Sequence, residues 1–99
     1  VRYYSRAGRP LTFEEWARSF ENLTEEARRV AYDDLGDGVT VSTVWLGLDH
    51  RYPPDAGPPV IFETMIFGGP LDSTCWRYST EEAARAGHDD AVRAARGTP

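Results

Sequence analysis

The chain contains no lysine; all eleven of its basic residues are arginine. That usage reflects a GC-rich coding sequence rather than a chemical demand, because arginine and alanine codons are GC-rich. A single cysteine, Cys75, excludes an internal disulfide and fits a reducing compartment. No run approaches the roughly 20 apolar residues that a membrane span needs. Val1 to Pro10 carries no apolar stretch of the signal-peptide type. There is no basic stripe, and the net charge is −5. Charge therefore argues against duplex nucleic acid as a ligand. An acidic balance serves solubility or suits a basic partner. No phosphate-cradling loop is present, since Gly68-Gly69-Pro70 does not open a helix. No HExxH spacing occurs, and no Ser–His–Asp arrangement can be assigned from spacing. No repeat or low-complexity segment is visible. These absences point away from an enzyme, and neither a cofactor nor a metal is expected.

What is present centres on Val39 to Phe67. Two apolar, β-rich runs, VTVSTVWLGL and VIFETMIF, flank DHRYPPDAGPP. Four prolines in Asp49 to Pro59 cannot continue a ladder, so this segment is a connector. Val39 to Leu48 and Val60 to Phe67 carry bulky apolar residues on both alternations, as a strand covered on both faces does. Gly36-Asp37-Gly38 is a tight-turn sequence ahead of the first run. Arg29 to Leu35 therefore reads as its hairpin partner, with one helical turn from Thr24 before it. Thr74 to Tyr78 reads as a short last strand.

The ends of the chain complete the pattern. Val1 to Leu11 reads as a short hairpin. Thr12 with Glu15 makes a capping box for a helix ending near Phe20 or Glu21, with Phe13, Trp16 and Phe20 on one face. Ser79 with Glu82 predicts the cap of a final helix, Glu81 to Arg96. Ala84, Gly87, His88, Ala91, Val92 and Ala95 form its stripe, and small residues allow close approach to a sheet. Pairs Glu81–Arg85 and Asp89–Arg93 are spaced for i,i+4 contact. The expected fold is α+β, one domain over residues 1–99. It is an antiparallel four-stranded β-meander with a C-terminal helix packed on one face, preceded by a short N-terminal hairpin and helix. The other face needs a cover, either the Phe13–Trp16–Phe20 face or a second copy of the chain.

VSTVWLGLDH, PPVIFETMIFGG and RYSTEEAARAGHDDAV, in this order and with RYYSRAGRPLTFEEWARSF ahead of them, carry a resemblance. Together they resemble a group of small uncharacterised proteins encoded by tailed phages and prophages of GC-rich, mainly actinobacterial, hosts. The resemblance covers most of the chain. It implies a phage origin and a product of the host bacterial cytoplasm, and it brings no catalytic residue with it.

Several residues are candidates for binding. Glu63 stands in the most apolar strand, and a carboxylate there needs a partner. Arg77 and Tyr78 on the next strand are level with it, and His88 on the covering helix is a third option. The bland reading is a structural pair; the functional one is a polar pocket for a small ligand. His88 within a small apolar stripe reads first as a packed residue with a hydrogen bond. His50, Arg51 and Tyr52 combine contact-forming side chains with a stiff Pro-rich backbone, a binding loop or a solvated connector. Asp49, His50, Glu63 and His88 are a legitimate ligand or acid–base set, but their expected positions along the sheet need not converge. Cys75, in a strand without an adjacent base, reads as a buried thiol. Trp16, Trp45 and Trp76 read as core, with an interface position for one of them as the alternative.

The function expected from these features is a non-enzymatic interaction module acting on a host protein or forming a homodimer. The first alternative is a nucleotide-type ligand binder or enzyme built on Glu63, Arg77, Tyr78 and His88, with Arg and aromatic side chains suited to phosphate and base. The second is a minor virion component.

Overall fold

A computed structural model of the chain describes residues 3–21, 23–49 and 57–97. The elements are β1 (Tyr3–Tyr4), β2 (Pro10–Leu11), α1 (Phe13–Glu21), α2 (Glu25–Arg28), β3 (Arg29–Gly36), β4 (Val39–Trp45), β5 (Phe62–Phe67), β6 (Cys75–Tyr78) and α3 (Glu81–Ala95). β3 to β6 form an antiparallel sheet in chain order, and β1 and β2 form a separate hairpin. This is the expected α+β arrangement. β4 and β5 are shorter than the apolar runs that contain them, because the residues nearest the Pro-rich connector leave the ladder.

Local chemistry explains each boundary. In the turn between β3 and β4, Asp37 and Gly38 both have positive φ, 53° and 77°. That is the type I′ geometry that matches strand twist. α1 opens on a reciprocal capping box. The Thr12 N–H donates to Glu15 Oε1 at 2.9 Å, and the Glu15 N–H donates to Thr12 Oγ1 at 3.1 Å. The backbone bond from Thr12 holds the Glu15 carboxyl below its ordinary pKa. Thr24 caps α2 by accepting from the Ala27 N–H at 3.1 Å.

α3 departs from expectation by one residue. Its cap is Thr80, which accepts from the Ala83 N–H at 3.1 Å. Ser79 and Glu82 therefore do not make the box. Both hydroxyl residues can cap, and the chain turns into the helix at the second. Arg85 pairs with Glu81 at 2.9 Å, as the spacing predicts, but Arg93 pairs with Asp90 rather than Asp89.

α3 lies on one face of the sheet. Its buried residues are Ala84, Gly87, His88 and Ala91. The side chains beneath it alternate along the strands: Val41, Thr43 and Trp45 on β4, and Phe62, Thr64 and Ile66 on β5. Two apolar clusters result. One joins Tyr4, Val30, Trp45, Ile61, Phe62 and Ala84; the other joins Val41, Ile66 and Ala91. A polar layer of Thr43, Thr64 and His88 lies buried with them.

The opposite face is not covered by α1, which buries no residue. Its aromatic stripe is engaged elsewhere. The Tyr3 ring meets Phe13 at 5.6 Å and Trp16 at 4.9 Å, and Phe20 meets Trp45 at 5.0 Å. The hairpin is tied to the chain after β4 by the Tyr4 N–H donating to Gly47 O at 3.1 Å. α1 thus seals the end of the sheet and leaves the face free. Of the tryptophans only Trp45 is buried. Trp16 is half-buried, and Trp76, on the edge strand β6, is 38 % exposed.

Candidate functional site

Strand alternation places Ser42, Val44, Glu63, Met65 and Phe67 on the uncovered face, opposite to α3. With Phe20, Leu23, Arg28, Arg29 and Tyr32 they line a concavity of about 590 Å³. Phe67 is 47 % exposed and Tyr32 44 %. The floor is built of Val44, Met65 and Phe67 with Ser42 and Glu63 among them, and Arg28 and Arg29 add cations to its lining.

Glu63 stands opposite Val44 on one side and Arg77 on the other. Arg77 Nε donates to Glu63 Oε2 at 3.0 Å. The expected pairing of Glu63 is therefore with Arg77, while Tyr78 is one residue along and points to the other face. There Tyr78 packs against α3, whose Gly87 has no side chain; a Cβ would overlap the phenol ring. Burial, followed by the Asp90 charge, pushes the Tyr78 phenol above its ordinary pKa.

His88 also belongs to the face beneath α3 and is 2 % exposed. Its Nε2 is 2.7 Å from Asp33 Oδ2, and its Nδ1 is 2.7 Å from Thr43 Oγ1. Thr43 Oγ1 is in turn 2.5 Å from Thr64 Oγ1. A carboxylate only accepts, so Nε2 carries a proton and donates to Asp33. In the neutral ring Nδ1 then accepts from the Thr43 hydroxyl, which accepts from Thr64. The order hydroxyl, imidazole, carboxylate is that of a nucleophilic triad. Thr43 and Thr64, however, have no solvent exposure, so no substrate reaches the hydroxyl. This is a structural chain of hydrogen bonds. Sequence reasoning anticipated a packed, bonded His88 but not its partners Asp33, Thr43 and Thr64.

The structure thus brings Glu63 and Arg77 together on one face and places Tyr78 and His88 on the other. His50, Arg51 and Tyr52 lie outside the described residues. Asp49 Oδ1 accepts from the Val60 N–H at 3.1 Å, which ties the ends of the connector together. Among the described residues no group of three or more His, Cys, Asp or Glu side chains is arranged to hold a metal ion. Cys75 is exposed rather than buried, because it lies on the edge strand beside Met65 of the uncovered face. No helix among the described residues is long and apolar enough to cross a membrane.

Sequence reasoning missed Arg28 and Arg29. Arg29 stacks on Tyr32, its guanidinium carbon 4.2 Å from the ring centroid, and its Nε is buried without a hydrogen-bond partner. Arg28 lies 5.2 Å from the Phe20 centroid, and its Nε donates to Trp45 O at 3.3 Å. Adjacent arginines ahead of a strand carried no spacing signal. Comparison with protein-family models, curated proteins and solved structures found no match to the chain, so its function is argued from these side chains and their geometry.

Proposed function

We propose that the chain is a non-enzymatic protein-interaction module whose contact surface is the uncovered face of the β3–β6 sheet. One observation carries this reading: an apolar floor of Val44, Met65 and Phe67 stays open while α1 is held at the sheet's end by the hairpin. Apolar patches of this kind, rimmed by polar side chains, mark interaction sites. The motifs that resemble small phage proteins make a host bacterial protein, met in the cytoplasm, our candidate partner. A homodimer through the same face, or a place in the virion, are the competing roles.

The test uses Phe67→Asp, a change at a half-exposed position that leaves the core intact. Wild type and variant are used to capture proteins from lysate of an actinobacterial host. The expected result is a partner retained by wild type and lost with Phe67→Asp, at equal melting temperature. A monomeric wild type that captures nothing the variant does not also capture would overturn the proposal. A dimer split by Phe67→Asp would assign the face to self-association, and recovery of the chain in purified particles would assign the virion role.

A second reading, a small-ligand site, is favoured by the size of the concavity, which lies within the range of small-molecule pockets. Its polar groups would be Glu63 and the arginines, without Tyr78 or His88. A thermal-shift screen with nucleotides and small carboxylates tests it. A ligand at 100 times its dissociation constant adds about 2.7 kcal/mol of stability, and an unchanged melting temperature across the screen removes the reading.

A further inference from the structure

We infer that the segment docking on the uncovered face is an acidic polypeptide bearing a large apolar anchor, an inference that rests on the interaction reading above. The rim of the concavity carries Arg28 and Arg29, and neither forms an ion pair among the described residues. The one carboxylate in the concavity, Glu63, is already paired with Arg77. Among the described residues, two guanidinium groups without an ion pair therefore share a concavity with Val44, Met65 and Phe67, in a chain whose net charge is −5. The local sign is opposite to the global one, so the concavity selects a partner that the rest of the surface repels.

The arginines are also pre-organised. Arg29 is held against Tyr32 and Arg28 against Phe20, so little rotamer freedom remains to be lost on binding. A guanidinium lining the concavity favours an entering carboxylate over a neutral amide through charge-assisted bonds. Val44, Met65 and Phe67 give the apolar anchor its seat.

The experiment pans a random twelve-residue peptide display library on wild type and on Phe67→Asp, with Met65→Ser as a second face variant in case the first alters the fold. Circular dichroism and the melting temperature establish that each variant is folded. Enriched peptides are synthesised with their acids intact or changed to the corresponding amides, and binding is read by fluorescence anisotropy at low and physiological salt. Peptides that depend on the face should carry an acid beside a large apolar residue. Amide replacement, or Arg29→Gln in the protein, should weaken them at least about tenfold, the range for a lost charge-assisted bond. Their affinity should also fall with salt. Face-dependent peptides that lack acids, or that are indifferent to Arg29→Gln, overturn this inference and spare the interaction reading. Peptides that bind the face variants as well as wild type overturn both. No enrichment, or a wild type occupied by its own second copy through this face, overturns the peptide as occupant.

Discussion

Removing one hydroxyl beneath α3 should destabilise the fold far more than its size implies. In Thr43→Val the shape is kept and only the Oγ1 is lost. That oxygen serves two neighbours, Thr64 Oγ1 at 2.5 Å and His88 Nδ1 at 2.7 Å, and all three residues are buried. A buried polar group left without a partner costs about 1–3 kcal/mol. The two losses are unequal. The Thr64 hydroxyl loses one neutral hydroxyl–hydroxyl bond and its proton is free to rotate, so its share lies at the low end. The His88 ring is pinned by Asp33 on its far side, so Nδ1 has no alternative. We expect a total of about 2–4 kcal/mol, a large part of the roughly 5–15 kcal/mol typical of a folded domain. At about 4–8 °C per kcal/mol, the melting temperature should fall by at least about 8 °C. Tryptophan fluorescence in urea and thermal scans measures this, with Trp45 buried in the core as the reporter. Thr64→Val alone should cost about 1 kcal/mol, and the double variant should cost less than the sum, since it removes both ends of one bond. A Thr43→Val protein within about 0.5 kcal/mol of wild type, or strict additivity in the cycle, would refute the hydrogen-bonded chain.

Gly47→Ala should lose about 2–4 kcal/mol, combining left-handed strain with overpacking: φ is +74°, and the new Cβ would sit 2.7 Å from Trp16 Nε1 and 2.8 Å from Phe20 Cε2. A near-UV circular dichroism spectrum identical to wild type would show that α1 does not pack there. Glu63→Gln should cost about 1 kcal/mol, because Arg77 is 47 % exposed and solvent screens the pair; a urea midpoint unmoved by both Glu63→Gln and Arg77→Ala would count against the pair. The Arg6 bond, ahead of that from Arg85, holds the Glu81 carboxyl below its ordinary value of 4.5. A lowered folded pKa contributes stability above the ordinary value that disappears as pH falls through the folded one. Urea midpoints should therefore drop less between pH 7 and pH 3 in Arg6→Ala than in wild type, by under about 1 kcal/mol for a pair this exposed. Equal drops would mean that Arg6 does not hold Glu81 in solution.

The parts of the fold that could be read from the sequence are those in which one residue type admits one conformation. Asp37-Gly38 between two β-rich runs fixes a type I′ hairpin, and the hairpin sets the β3–β4 pairing that places Gly36 opposite Val39. The small stripe Ala84–Gly87–His88–Ala91 identifies the face of α3 that meets the sheet. Where two neighbours have equal capacity the sequence is silent, as with Ser79 and Thr80 at the cap. Thr43 and Thr64 look alike in either alternation, because threonine is at home in exposed and buried strand positions. Only the tertiary placement of His88 makes them a buried network, and Asp33 joins it from an edge strand 55 residues away. Cys75 and Trp76 look like core residues by type, yet they stand on the strand that ends the sheet.

The candidate site was hidden for a different reason. Its existence depends on a competition over the aromatic face of α1. Phe13, Trp16 and Phe20 could have covered the sheet, and their spacing permits it. Tyr3 and the side-chain-free backbone at Gly47 take them instead, one by ring contact and the other by allowing close approach. The aromatics close the end of the sheet, so Val44, Met65 and Phe67 stay open and share the lining of the concavity with Arg28 and Arg29. The hairpin is therefore part of the site although it touches none of its floor. Loosening it should lower exposure of the floor by freeing α1 to fold across it. Tyr3→Ala is the direct perturbation: it removes the ring that holds Phe13 and Trp16. We expect it to reduce binding of a face-dependent peptide while leaving the β3–β6 sheet folded, as followed by hydrogen exchange at β4 and β5. Unchanged affinity in a Tyr3→Ala protein whose α1 amides exchange faster would show that α1, once released, does not compete for the face.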